Sequence, residues 1–118
     1  MEIRNRDRDA LPFTTIDGST IREIMRAEAQ SLAEASLPAG GATTRHWHGA
    51  AEELYYILEG SARMEVDGDV REIGPGDCVL IPPGARHRIE AHTDLRFLCC
   101  CAPPYQDADT HFDDAPSG

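Results

Sequence analysis

The chain has no long hydrophobic run. None of its apolar stretches approaches the roughly 20 residues that a membrane-spanning helix needs. The segment from Met1 to Asp9 is charged and lacks the apolar middle of a secretory signal. A soluble cytoplasmic protein with no membrane partner is expected. Positive charge is also short: 11 Lys and Arg face 21 Asp and Glu, a formal net charge of -10. Nucleic acids and anionic membranes attract positive surfaces, so nucleic acid is not an expected partner either. Repeats and linkers are missing too, and 118 residues suit one domain with one core.

Cysteine is sparse and poorly spaced for cross-linking. The four are Cys78, Cys99, Cys100 and Cys101. Three in a row suit neither a disulfide framework nor a C-x-x-C zinc pair. Leu95, Phe97 and Leu98 beside them predict a buried strand in which Cys acts as a small hydrophobe. Alternation puts Cys99 and Cys101 on one face and Cys100 on the other. The alternative role for a thiol here is to line a pocket.

What the chain does have is many short strand-like segments punctuated by Gly and Pro. Strands are predicted over 30–37, 43–48, 53–58, 62–66, 70–73, 78–81, 86–91 and 95–102, with Asp67-Gly68 as a hairpin turn. Phe13-Thr14-Thr15 opens an early strand or turn, and Asp17-Gly18 turns the chain. Ser19 with Arg22-Glu23 caps a short helix over 21–26, or the same residues form a strand. This pattern argues for an all-β sandwich or barrel.

The chemistry-bearing residues are His46-Trp47-His48, Glu53 and His87. In a strand, His46 and His48 share a face and Trp47 takes the other. Three imidazoles and one carboxylate make a ligand set for one divalent transition metal: Fe, Mn, Ni, Zn, Cu or Co. Glu52 is a rival carboxylate. Arg45, Arg86 and Arg88 flank the histidines and point the opposite way by alternation. Tyr55 shares the face of Glu53 and is a candidate catalytic acid or orienting donor. Inward candidates are Tyr55, Ile57, Met64, Val66, Val79, Ile81, Phe97, Cys99 and Cys101. His111 lies in a polar tail with Asp107, Asp109, Asp113 and Asp114, expected to be loosely ordered and solvated.

The spacing carries a family resemblance. Gly40 is followed by five residues, His46-Trp47-His48, four residues, Glu53, six residues and Gly60. After 61–75, Gly76 is followed by five residues, Pro82-Pro83-Gly84, two residues, His87, three residues and Ala91. These blocks resemble the two signature motifs of the cupin superfamily, with Ala91 where the motif has Asn. The resemblance covers residues 28–104 and implies an all-β double-stranded β-helix, the jelly-roll cupin barrel. It implies an N-terminal arm over 1–27, packed on the barrel or a partner subunit, and a polar tail over 105–118. It favours Glu53 over Glu52 and makes His46, His48, Glu53 and His87 the metal ligands. It implies a lost hydrogen bond near the site at Ala91. It also implies a homodimer, with Trp47, Leu54 and Tyr56 on one contacting sheet face.

The sequence is similar to small bacterial cupins labelled mannose-6-phosphate isomerase-like. Phosphate recognition calls for an Arg or Lys cluster or a backbone nest, and none can be placed in this pocket. The expected function is a metal-dependent enzyme on a small organic acid or natural-product intermediate, of dioxygenase, isomerase, decarboxylase or lyase type. One alternative is a small-molecule binding protein without turnover. Another is a metal-free sugar epimerase-like cupin, which the complete ligand set argues against.

Overall fold

Two antiparallel sheets face each other in the computed structural model, which describes residues 1–113. Asp114 and the rest of the expected tail lie outside the described residues. A short helix, α1 (Arg6–Asp9), comes first, its N-terminus capped by the Asn5 side chain. Then come β1 (Phe13–Thr14), β2 (Thr20–Arg26), β3 (Ser31–Leu37), β4 (His46–His48), β5 (Glu52–Glu59) and β6 (Ala62–Val66). They are followed by β7 (Asp69–Ile73), β8 (Cys78–Ile81), β9 (His87–Ala91) and β10 (Leu95–Ala102). A 3-10 turn at Asp107–Asp109 leads into β11 (Thr110–Phe112).

The first sheet has the order β1-β2-β3-β10-β5-β8 and the second β11-β4-β9-β6-β7. β10 inserts between β3 and β5, and β9 between β4 and β6. Those long-range insertions give the jelly roll its double layer. Two turns show how local chemistry fixes the register. Asp67 and Gly68 both have positive φ, at 48° and 84°, the backbone of a tight hairpin between β6 and β7. Gly60 has φ +90°, and an added Cβ would sit 2.2 Å from the Asp94 carbonyl oxygen, so only glycine fits there. The inner faces of both sheets bury one apolar cluster, in which Ile57, Ile81, Ile89 and Phe97 are almost wholly enclosed.

Several expectations change. Of the two forms left open for 21–26, the strand is the one found: β2 pairs along β3, with Ile21 opposite Ala35 and Arg22 opposite Glu34. The N-terminal segment is therefore part of the barrel wall, because β1 and β2 extend the first sheet. The C-terminal segment is built in as well. β11 pairs with β4, setting Thr110 opposite His48 and Phe112 opposite His46. Its approach is anchored by Asp109, whose carboxylate accepts hydrogen bonds from the backbone N–H of Ala50 and Ala51 at 2.9 and 3.1 Å. His111 accordingly stacks on Trp47 with ring centroids 4.4 Å apart. Trp47 also carries the Arg86 guanidinium 4.6 Å from its ring centroid.

Trp47 does not share a face with Leu54 and Tyr56. β4 belongs to the second sheet and β5 to the first. Leu54 and Tyr56 stand exposed on the outside of the first sheet, with Leu80 of β8 directly across from Leu54. No helix among the described residues is long and apolar enough to cross a membrane.

Candidate metal centre

The three histidines meet because two short strands pair in one register. His46 of β4 stands directly opposite His87 of β9. Strand alternation keeps His48 on the same inner face. The Pro82-Pro83-Gly84 turn is tied to this strand by the Gly84 N–H, which donates to the His48 carbonyl at 2.7 Å. Glu53 enters from the opposite sheet, where it faces Ile81 on one side and Cys101 on the other. Glu52, one residue earlier, is exposed. His46, His48, Glu53 and His87 are all at most 4% exposed.

Each imidazole is held from behind. His46 Nδ1 lies 2.6 Å from the Thr44 carbonyl and His87 Nδ1 lies 3.0 Å from the Ala85 carbonyl. A carbonyl only accepts, so both Nδ1 atoms carry the proton and both Nε2 atoms keep a lone pair. His48 Nδ1 lies 3.2 Å from the Thr110 hydroxyl, which spends its own proton on the Gln106 carbonyl. The same tautomer follows for His48. Backing of this kind fixes ring orientation in metal-binding histidines.

The free nitrogens converge, with ligand atoms of all three rings within 4.8 Å of one another. Glu53 Oε1 lies 3.0 Å from His48 Nε2 and 3.2 Å from His87 Nε2. Those contacts are close but not aligned as hydrogen bonds. Glu53 Oε1 and His87 Nε2 are buried without a hydrogen-bond partner among the described residues. Unsatisfied buried lone pairs facing one another are costly, and a cation between them would satisfy them all. The donor set fits a divalent transition metal on that ground.

Burial pushes the Glu53 carboxyl up, but the His48 and His87 imidazoles outweigh it and hold the group well below the usual carboxylate range. Burial lowers His48, while the Glu53 carboxylate raises it further than burial lowers it. His46 is pushed down by burial and by the neighbouring His87. Burial and then Glu53 push the Tyr55 hydroxyl up, so Tyr55 stays a proton-bearing donor.

His46, His48 and Glu53 line one narrow cavity. The Tyr55 ring lies 4.6 Å from Phe97 and 6.0 Å from His87, between centroids. Of the expected lining, Tyr55, Phe97, Cys99 and Cys101 are present. Ile57, Met64 and Ile81 instead fill the core, with Val66 and Val79 packed against it. They sit farther along the same inner faces. Ala91 lies there too, four residues or about 13 Å along β9 from His87, and packs in the core. The substitution of the motif Asn therefore leaves the histidine cluster untouched. Arg45, Arg86 and Arg88 point outward, Arg45 to Glu65 and Arg88 to Glu90.

Three contributors were not foreseen in the sequence. Thr110 braces His48, and Tyr105 lines the cavity with its ring edge-on to His48. Asp17 also lines it, with Oδ2 3.6 Å from His46 Nε2. Its other oxygen, Oδ1, accepts from Thr15 Oγ1 and from the Ser19 backbone N–H and hydroxyl. The Asp17-Gly18 turn was legible, but its destination was not.

A family profile described as Cupin domain matches residues 33–101. The chain is a cupin. Comparison with known proteins places this cupin near several others. It is 44% identical over 106 residues to the uncharacterized protein MJ1618 of Methanocaldococcus jannaschii, covering 84% of this chain and 85% of that one. It is 32% identical over 116 residues to an L-ectoine synthase of Rhodococcus jostii, covering 93% and 85%. Among solved structures, KdgF from a Halomonas species superposes with a TM-score of 0.81 at 17% identity, covering 92% and 97%. That last likeness speaks for the cupin fold alone.

Proposed function

We propose that this cupin is a metal-dependent enzyme acting on a small molecule. The observation that carries the reading is the convergence of three braced imidazoles within 4.8 Å of one another, with Glu53 Oε1 against two of them and buried polar atoms left unsatisfied. His46, His48, Glu53 and His87 would hold the ion. When bound, such an ion supplies Lewis acidity, a template for substrate, or a site for dioxygen. Similarity to an L-ectoine synthase over nearly the whole chain supports an enzyme over an inert barrel.

The chain's own residues set the limits on substrate. Phe13, Ile21 and Phe97 give the cavity apolar walls, and Tyr55 offers a buried hydroxyl. Tyr55 is placed to donate a proton or orient a substrate oxygen. No Arg or Lys lines the cavity among the described residues. A phosphate would find no cationic side chain there, which weighs against sugar phosphates. A small organic acid or natural-product intermediate, anchored at the ion, suits these apolar walls better. Dioxygenase, isomerase, decarboxylase and lyase chemistry all remain compatible with these groups.

The test is elemental analysis of untagged protein beside the His48→Ala variant. Near-stoichiometric iron, manganese, nickel, copper, cobalt or zinc, lost in a variant that still folds, is the expected result. Protein free of metal, with no uptake on reconstitution, would overturn the reading.

We also propose a homodimer through the outer face of the first sheet, where Leu54, Tyr56 and Leu80 are each more than 40% exposed. Sedimentation of the wild type against Leu54→Glu checks it: a dimer that becomes monomeric is expected.

A further inference from the structure

Glu53 has two oxygens, and the histidines use only one. Oε2 turns the other way, towards Cys99 and Cys101. Cys99 Sγ lies 2.8 Å and Cys101 Sγ 3.3 Å from it. The two sulfurs are 3.8 Å apart. The three ligand atoms fall within 4.8 Å of one another, a group separate from the histidine one.

We propose that Glu53 Oε2, Cys99 and Cys101 form a second, thiolate-rich metal position, with Glu53 bridging it to the three-histidine position. The sulfur spacing matches the chemistry. Two thiolates at about 2.3 Å from a tetrahedral zinc stand about 3.8 Å apart. The oxygen–sulfur distances are shorter than the roughly 3.6 Å of the same tetrahedron, so when an ion enters Glu53 Oε2 moves away from both thiols, farther from Cys99, now at 2.8 Å, than from Cys101, at 3.3 Å. β10 presents both thiols on its inner face because they are two residues apart. Across β10, β3 places Ala33 opposite Cys99 and Ser31 opposite Cys101. These small residues leave space, and all of them line the cavity. Three protein ligands with a fourth direction open to the cavity is the arrangement of a reactive rather than a closed zinc site. Thiolates select a soft or borderline cation of the zinc, cadmium or copper(I) kind. As the ion binds, each S–H bond ionises, its electron pair goes to the metal and its proton to solvent; nothing is oxidised or reduced.

The proposal shares Glu53 with the metalloenzyme reading, so its test separates the two. The full-length chain carrying Cys78→Ser and Cys100→Ser, which removes the two remaining thiols, is titrated with cadmium(II). Two equivalents and a thiolate-to-cadmium ultraviolet band are expected. Adding Cys99→Ser and Cys101→Ser should abolish the band and reduce binding to one equivalent. His46→Ala with His87→Ala should keep the band and one equivalent. Cadmium-113 NMR of the wild type, which needs no variant, should show two resonances, one of them in the thiolate region. Absence of the band and of that resonance overturns the proposal, whatever the histidines do. Loss of the band in the histidine variant, with circular dichroism unchanged, overturns it too, because the thiols would then serve the histidine-centred ion.

Discussion

The barrel interior has two ends, and the same strands build both. Along β5 the inner face runs from Glu53 through Tyr55 to Ile57; along β9 it runs from His87 through Ile89 to Ala91. β10, antiparallel to β5, runs from Cys101 through Cys99 to Phe97 and Leu95. Within four or five residues each strand passes from ligand chemistry to plain packing. The apolar end gains free energy from burial. The polar end leaves Glu53 Oε1 and His87 Nε2 buried and unsatisfied, a local cost that a bound cation would remove. The lesson is a division of labour along each strand: one end holds the barrel shut so that the other can keep donor atoms facing one another.

That contrast can be broken from either end. The largest effect is expected at the apolar end. Ile57→Ala should cost about 2–5 kcal/mol, measured by urea unfolding, while metal bound per folded molecule stays unchanged. Next comes the metal itself. Loading at a hundredfold excess over Kd should add about 2.7 kcal/mol, visible as a rise in Tm that His87→Ala abolishes. A third, smaller step tests the bracing. Thr110→Val removes the oxygen behind His48 and should weaken metal binding about 10–100-fold with little change in metal-free stability.

The smallest effect sharpens a comparison between two buried carboxylates. Glu34 sits outside the barrel core, between Arg6 and Arg96. Burial pushes its carboxyl up, but the two guanidiniums outweigh burial and hold it below the ordinary range. Its folded pKa is thus depressed. The stability it contributes is present above the unfolded value of about 4.3 and is lost as pH falls below it towards the folded value. Glu34→Gln should flatten that acid limb in thermal melts and leave metal content alone. A variant with an unchanged acid limb would show that the arginine pairing contributes no stability.

Much of this was legible beforehand, for local reasons. The strand of His46 and His48, the hairpin at Asp67-Gly68 and the choice of Glu53 over Glu52 follow from alternation, turn chemistry and motif spacing. Residues whose role depends on a distant partner were harder to place. The helix-or-strand ambiguity at 21–26 was resolved by the open edge of β3, which supplied ladder hydrogen bonds. The polar segment after Tyr105 looked solvated because its composition is polar, yet it pairs with β4 and braces His48.

By itself, then, the sequence determined the family, the jelly-roll barrel and the four residues that gather at its polar end. These depend on periods of two, on glycines at positive φ and on fixed spacings, all properties of short stretches of chain. Tertiary structure alone decided that Asp17 faces His46, that Thr110 stands behind His48 and that two cysteines turn to the second oxygen of Glu53. Each of those contacts joins segments about 30 to 60 residues apart. Only the closing of two sheets brings such segments together, because loop closure is governed by the whole fold and not by any local preference.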